Sequence, residues 1–405
     1  MLKDYSAPIT KVYADCTEVL LQNIARHFNV NALGNTPTFE WEAMKLAELG
    51  QLTRENAAII AQMIGDTSGM TSIALENAML DALAKNDKAL LEAVKRGLAT
   101  ERPVGLSRAM RDTLNYYSKQ ATIQTNLVNT VMLTSSQNVA RKIISSVVSG
   151  QDVLKDIAQG VLNTSTGEVI TGITSRQAAV RSAVKQMAQD GIIGFVDKTG
   201  RSWTPEAYVN MDIRTTSGNV AREAVFQQCD ESGLDLVIVP VNASARPGCA
   251  PYQGKVLSRS NASGTTEDRS GNRIAYIPMS STTYGKPDGL FGINCHHSPP
   301  DPFIPGLSKQ HDKPQKDVAE NYQQQQQQRY LERQVKSAKR EAACYDAAGD
   351  KEAFTKAANR VKEKTATLKA YSQKAGLPYY SDRVQVYGYG RSTAGKVTQA
   401  VKRAS

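Results

Sequence analysis

The hydrophobic period of this chain switches over one central stretch, and that switch constrains the fold more than any other feature. Up to Gly233, apolar side chains recur three or four residues apart, as a helix requires. Leu234–Val241 is instead a continuous apolar run of strand length, and short strands are predicted at 254–257 and 274–279. Between and after them lie loops rich in Gly, Pro, Ser and Asn, extending through Pro299-Pro300, Pro302 and Pro305-Gly306. From residue 308 the helical period returns. A predominantly helical chain with one small sheet inserted in it is an α+β protein.

Within the helical parts, several boundaries are predicted. Phe39–Ile64 has helical spacing, with Gly50 as a break and Thr53 as a cap for a second piece. A helix is expected over Thr71–Lys95, interrupted near Asn86-Asp87. Another is expected over Ser107–Val148, stopping at Gly150 and kinked, because Thr, Ser, Asn and Gln are weak helix-interior residues. Arg176–Gln189 ends at Asp190-Gly191. Thr204-Pro205-Glu206 is a helix start that should run to Glu231. Residues 151–235 thus continue with helices.

Near the C-terminus, Leu331, Val335, Ala338, Ala342 and Tyr345 are spaced 4, 3, 4, 3, and so are Phe354, Ala358, Val361, Thr365 and Leu368. The turn Ala347-Ala348-Gly349-Asp350 separates them, so an antiparallel helical hairpin is predicted, ending at Gly376. The six glutamines of 323–328 read as a polar helix face. The tail from Leu377, with Tyr379, Tyr380, Tyr387 and Tyr389, is expected to lack order by itself. The chain is thus divided into a helical region (1–150), a central α+β module (151–307), a basic hairpin (308–376) and a flexible basic tail (377–405).

Charge is concentrated in that last part. Residues 329–405 carry 17 basic and 7 acidic side chains, the rest 32 of each, so the whole net charge of +10 lies there. Such a module suits a polyanion, and Lys336, Lys339, Arg340, Lys362 and Lys364 are the candidate contacts to DNA phosphates. The plainer reading is a well-solvated helix face. Five scattered cysteines do not make a disulfide framework and suit synthesis in a reducing cytoplasm. Met1–Tyr5 has no signal-peptide core, and no apolar run approaches a membrane span.

Chemistry-bearing residues cluster in the central module. Ala245-Arg246-Pro247-Gly248-Cys249 is followed by Gln253-Gly254-Lys255, and later by Gly292-Ile293-Asn294-Cys295-His296-His297. Cys249, Cys295 and His297 offer soft ligands for a structural zinc, although the spacing is irregular. The preferred reading is simpler: a buried cysteine pair with a hydrogen-bonded histidine and no cofactor. A zinc-dependent or cysteine-based enzyme centred on Cys249, Cys295, His296 and His297 is the alternative. Against it, adjacent Cys295 and His296 point to opposite sides of an extended segment, and no orienting acid is evident. A nonspecific nucleic-acid-binding protein is a further alternative. Arg246 is expected to pin a loop through backbone carbonyls.

These motifs, with Ser298 and Pro302-Phe303-Ile304-Pro305-Gly306 beyond them, resemble the phage minor capsid protein 2 family, related to the MuF-like head morphogenesis proteins. Asp212-Ile213-Arg214-Thr215-Thr216, Tyr322, Gln327-Gln328-Arg329, Leu331-Glu332-Arg333 and Leu46–Ile64 extend the similarity over about residues 1–375. The resemblance implies a structural, non-enzymatic, low-copy virion protein with a MuF-like central module. It would lie in the capsid interior near the portal, its residues 1–150 meeting the portal protein, and act in head assembly, DNA packaging or DNA delivery. Major capsid or scaffold protein and nonspecific DNA are the other partners considered. The chain departs from its relatives at Asn242, where they tend to have His, and at His296, where they tend to have Arg.

Overall fold

The computed structural model of the chain describes residues 4–29, 36, 38–65, 67–101, 105–162, 172–196, 200–310 and 317–389; for 38, 150–162 and 172–177 it describes the backbone alone. The fold is α+β, helical at both ends. Among the described residues there are eight α-helices: α1 (Ala7–His27), α2 (Thr38–Ile64), α3 (Thr67–Lys95), α4 (Arg108–Leu162), α5 (Gly172–Asp190), α6 (Pro205–Glu231), α7 (Val318–Ala347) and α8 (Lys351–Lys374). Seven short strands join them: β1 (Phe195–Val196), β2 (Ser202–Trp203), β3 (Leu236–Ile238), β4 (Val256–Ser258), β5 (Gly264–Glu267), β6 (Arg273–Pro278) and β7 (Asp301–Pro302). No helix among the described residues is long and apolar enough to cross a membrane.

The helices are longer than their sequences suggest. Gly50 lies inside α2 and does not end it. One interior glycine costs only about 1 kcal/mol, and α2 buries Trp41, Leu52, Ile60 and Ile64 on either side of it. α3 passes Asn86 without interruption, because the buried Asn86 amide donates to the Ala82 carbonyl at 3.3 Å and to Gln228. α4 passes Gly150 and continues to Leu162. Its hydroxyls bond back within the helix: Thr122 to the Ser118 carbonyl at 3.0 Å, Thr134 to Thr130 at 3.1 Å, and Ser136 to Leu133 at 2.7 Å. The β1–β2 hairpin fills the interval between the helix predicted to end at Asp190-Gly191 and the one predicted to start at Thr204, and its two-residue strands are too short to show an alternating pattern.

The chain forms two compact units, neither of them a continuous stretch. One contains Met1–Thr10, Asp66–Asn126 and Val209–Gln326; the other contains Lys11–Gly65, Leu127–Tyr208 and Gln327–Ser405. The boundaries fall inside α1, α4, α6 and α7.

The first unit holds a five-stranded sheet in the order β5-β6-β4-β3-β7, in which β4 and β6 are parallel and the other pairs antiparallel. Val237 pairs with both Leu257 and Pro302. One face carries Val237 and Leu257 into a core with Ala78, Ala82 and Leu90 of α3 and Ala221, Val225 and Cys229 of α6. The other buries the smaller group Ile238, Val256, Ile274 and Phe303.

The second unit contains the hairpin. Leu331, Val335, Ala338, Ala342 and Tyr345 are all buried, as are Phe354, Ala358, Val361 and Leu368. Gln328 donates to Ser372 at 3.1 Å and Arg360 pairs with Glu341 at 2.5 Å, so α7 and α8 run antiparallel. Asp350 caps α8, its carboxylate accepting from the Ala353 N–H at 3.0 Å. The glutamine run lies inside α7. The first part of the tail is docked rather than loose. Val384 and Val386 are buried, Lys339 donates to the Val384 carbonyl at 2.8 Å, and Gln22 donates to the Tyr387 carbonyl at 2.8 Å. The hydrophobic side chains of the tail override its Gly- and Ser-rich composition. Residues 390–405 lie outside the described residues.

Candidate functional site

In the first unit, the loop between β3 and β4 meets the loop between β6 and β7. Glycine makes the approach possible: a Cβ at Gly248 would stand 2.3 Å from the Asp288 carbonyl oxygen, and one at Gly292 would stand 2.4 Å from that of Pro287. Arg246 ties the loops, donating to the Ile293 carbonyl at 2.7 Å and to the Gly289 carbonyl at 2.6 Å. Pro247 is exposed and precedes the turn, and Cys249 then leads into a short 3-10 turn at Ala250–Tyr252.

The remaining motif residues take separate places. Gln253 is buried, and its Oε1 accepts the Asn242 backbone N–H. Gly254, at φ +70°, donates its N–H to the Val239 carbonyl at 2.9 Å. Lys255 is exposed, its ammonium 5.7 Å from the Tyr252 ring centre. Asn294 has φ 55°, and its N–H donates to Thr215 Oγ1 at 2.9 Å. His296 is exposed, with Nε2 3.3 Å from an Arg214 nitrogen.

Cys249, Cys295 and His297 come together. Their sulfurs are 3.9 Å apart, and Cys295 Sγ is 3.4 Å from His297 Nδ1. One ligand atom from each lies within 4.8 Å of the others. Cys249 is fully buried and His297 nearly so. The hydrogen bond from Cys295, aided by His297 and Arg246, holds the Cys249 thiol well below its ordinary pKa despite burial. The same bond, with burial, pushes the Cys295 thiol up. The adjoining cleft is lined by Arg214, Thr215, Arg222, Phe291 and Ser298 among others, with no carboxylate.

Two supporting residues have no signal in the spacing. Thr283 Oγ1 donates to the Gly248 carbonyl at 3.0 Å and accepts the Leu290 N–H at 3.0 Å, fastening both loops. Thr215 reaches the site from α6. Both are common residue types whose role depends on where the fold puts them.

In the second unit, the five candidate DNA contacts separate. Lys362 and Lys364 are exposed on α8, and Lys336 is half-buried. Lys339 is half-buried and spends a donor on Val384. Arg340 is buried against Glu18 and cannot reach a phosphate, which corrects its assignment from sequence.

Comparison with known proteins supplies the class. The family model described as phage minor capsid protein 2 matches residues 1–373. The chain is 27% identical over 305 residues, 73% of its own length and 75% of the relative's, to a protein named "Structural protein" from Lactococcus phage LL-H. No solved structure matches. The class is that of structural phage proteins, whose place is the virion. The chain belongs to the phage minor capsid protein 2 family.

Proposed function

We propose that this minor capsid protein lies inside the capsid at the portal vertex, where it binds the portal protein through residues 1–150 and acts without catalysis in head assembly, DNA packaging or delivery. The central sheet module is read as its MuF-like part. The observation that carries the portal contact is an exposed apolar stripe on α3. Met70, Ile73, Leu80 and Leu91 recur along one side of the helix, with Ile73 61% and Leu91 57% exposed. The opposite side is already committed, burying Leu75, Ala78, Met79, Ala82 and Leu90. A helix that fills a core on one side and leaves an apolar stripe on the other has surface to spare for a partner. The excess of basic residues after 328 supports a second contact, to DNA, through Lys362, Lys364 and Lys336.

Co-expression with the portal protein of the same phage, followed by size-exclusion chromatography with light scattering, tests the reading. The expected result is co-elution at a defined mass, lost in the Ile73→Glu, Leu91→Glu double variant. Separate elution at both low and moderate salt overturns the portal contact and directs attention to major capsid or scaffold protein.

A further inference from the structure

We propose that Cys249, Cys295 and His297 hold a zinc ion that staples the two loops of the sheet module together. Zinc bonds of about 2.3 Å to sulfur and about 2.0–2.1 Å to nitrogen give a tetrahedron with edges of about 3.8 Å between two sulfurs and about 3.6 Å between sulfur and nitrogen. The observed separations are 3.9 Å and 3.4 Å. Two edges thus match a zinc tetrahedron, and the third pair of donors lies within 4.8 Å.

The imidazole is oriented for the same purpose. His297 Nε2 lies 3.4 Å from Gln253 Oε1, an oxygen that can only accept, so the ring proton sits on Nε2. That leaves the lone pair on Nδ1, the nitrogen that faces Cys295. The Gln253 oxygen is itself positioned by the Asn242 N–H. This orientation leaves the Gln253 Nε2 group buried and without a partner. Such an arrangement is unfavourable by itself, and it places the oxygen where a ligating histidine needs an acceptor. The His297 N–H also points at Cys295 Sγ, at 3.5 Å.

The donor types select the ion. Two thiols and an imidazole are soft to intermediate ligands that suit zinc and repel magnesium and calcium. Two thiolates would neutralise the dication, their protons being released as the metal binds. Among the described residues no fourth Cys, His, Asp or Glu joins the group, so the fourth ligand is water from the adjoining cleft. That cleft offers no carboxylate to serve as a base, and the role proposed for the zinc is a structural one. Its effect would be to join chain segments 46 residues apart, adding to hydrogen bonds such as those of Arg246 and Thr283.

The test uses the full chain without a histidine tag, purified without chelator. Zinc is measured by plasma mass spectrometry, with about one ion per chain expected. Cys295→Ser and His297→Ala should lose it. Gln253→Ala keeps all three ligands and should weaken zinc about 10–100-fold in competition with a chromophoric chelator, with an unchanged circular dichroism spectrum. Cobalt in place of zinc should give the visible d–d and thiolate charge-transfer bands of a tetrahedral site. Metal-free, cobalt-silent protein overturns the proposal, whether its two cysteines titrate as thiols or are found by mass spectrometry as a disulfide. Zinc that persists in both ligand variants overturns it equally.

Discussion

Arg340 of α7 and Glu18 of α1 form a buried pair across 322 residues of sequence. Arg340 Nε is 2.9 Å from both carboxylate oxygens, and Nη2 is 2.5 Å from one of them. The side chains are 9% and 3% exposed. Glu206 adds a second carboxylate, 3.9 Å away. The most prominent cation of a basic helix is thus spent inside the protein, on joining α1 to α7 within one unit.

Breaking that pair from one side strands a buried charge. Arg340→Gln is expected to lower stability by about 3–5 kcal/mol. A Glu18→Leu, Arg340→Met double variant should recover most of the loss, because similar volumes then pack without desolvated charges. Urea denaturation of the two variants checks this; equal losses in both would mean that packing, not charge, sets the cost.

DNA contact, if made by the hairpin, depends on the lysines that reach solvent. Lys336→Gln, Lys362→Gln and Lys364→Gln together should weaken nonspecific binding. The slope of log affinity against log salt should fall by about 0.9 for each phosphate contact removed. Fluorescence anisotropy with duplex DNA at several salt concentrations reads both effects. Unchanged affinity and slope would remove DNA as a hairpin ligand.

The close approach of the loops makes a contrast between glycines. Gly292→Ala would drive a Cβ to 2.4 Å from the Pro287 carbonyl oxygen, a backbone atom that cannot swing aside. A loss of about 1–3 kcal/mol or more is expected. Gly218 lies within α6, where a Cβ meets nothing within 4 Å. Gly218→Ala should stabilise by about 0.5–1 kcal/mol. Thermal melts of the two variants should move in opposite directions.

Asp212 of α6 provides a pH signature. Burial pushes its carboxyl from an ordinary 3.8 up to about 6. A raised folded-state value means the folded protein holds the proton longer than the unfolded chain does. The penalty is absent below about pH 4, grows as pH rises through the interval, and is complete above about pH 6. Asp212→Asn should therefore match the parent near pH 4 and exceed it by about 1–3 kcal/mol at pH 7.5. A stability difference that does not change between those two pH values would contradict the burial of this carboxyl.

The local parts of this protein were legible in its sequence. Two stripes at 4, 3, 4, 3 spacing specified the hairpin, and Thr204-Pro205-Glu206 specified the start of α6, because both depend on neighbours within a few turns. The breaks predicted at Gly50 and Gly150 were misread, since a propensity cost of about 1 kcal/mol yields to the helix around it. Residue type alone brought Cys249, Cys295 and His297 forward as a set, and the motif order placed the chain in its family. Only the tertiary structure decided that His297 turns in while His296 turns out, that Gln253 orients the ring, and that Arg340 faces Glu18 instead of solvent. Those outcomes depend on side chains far apart in the chain meeting at hydrogen-bond distance. No periodicity records such a meeting, because it is set by how whole elements pack.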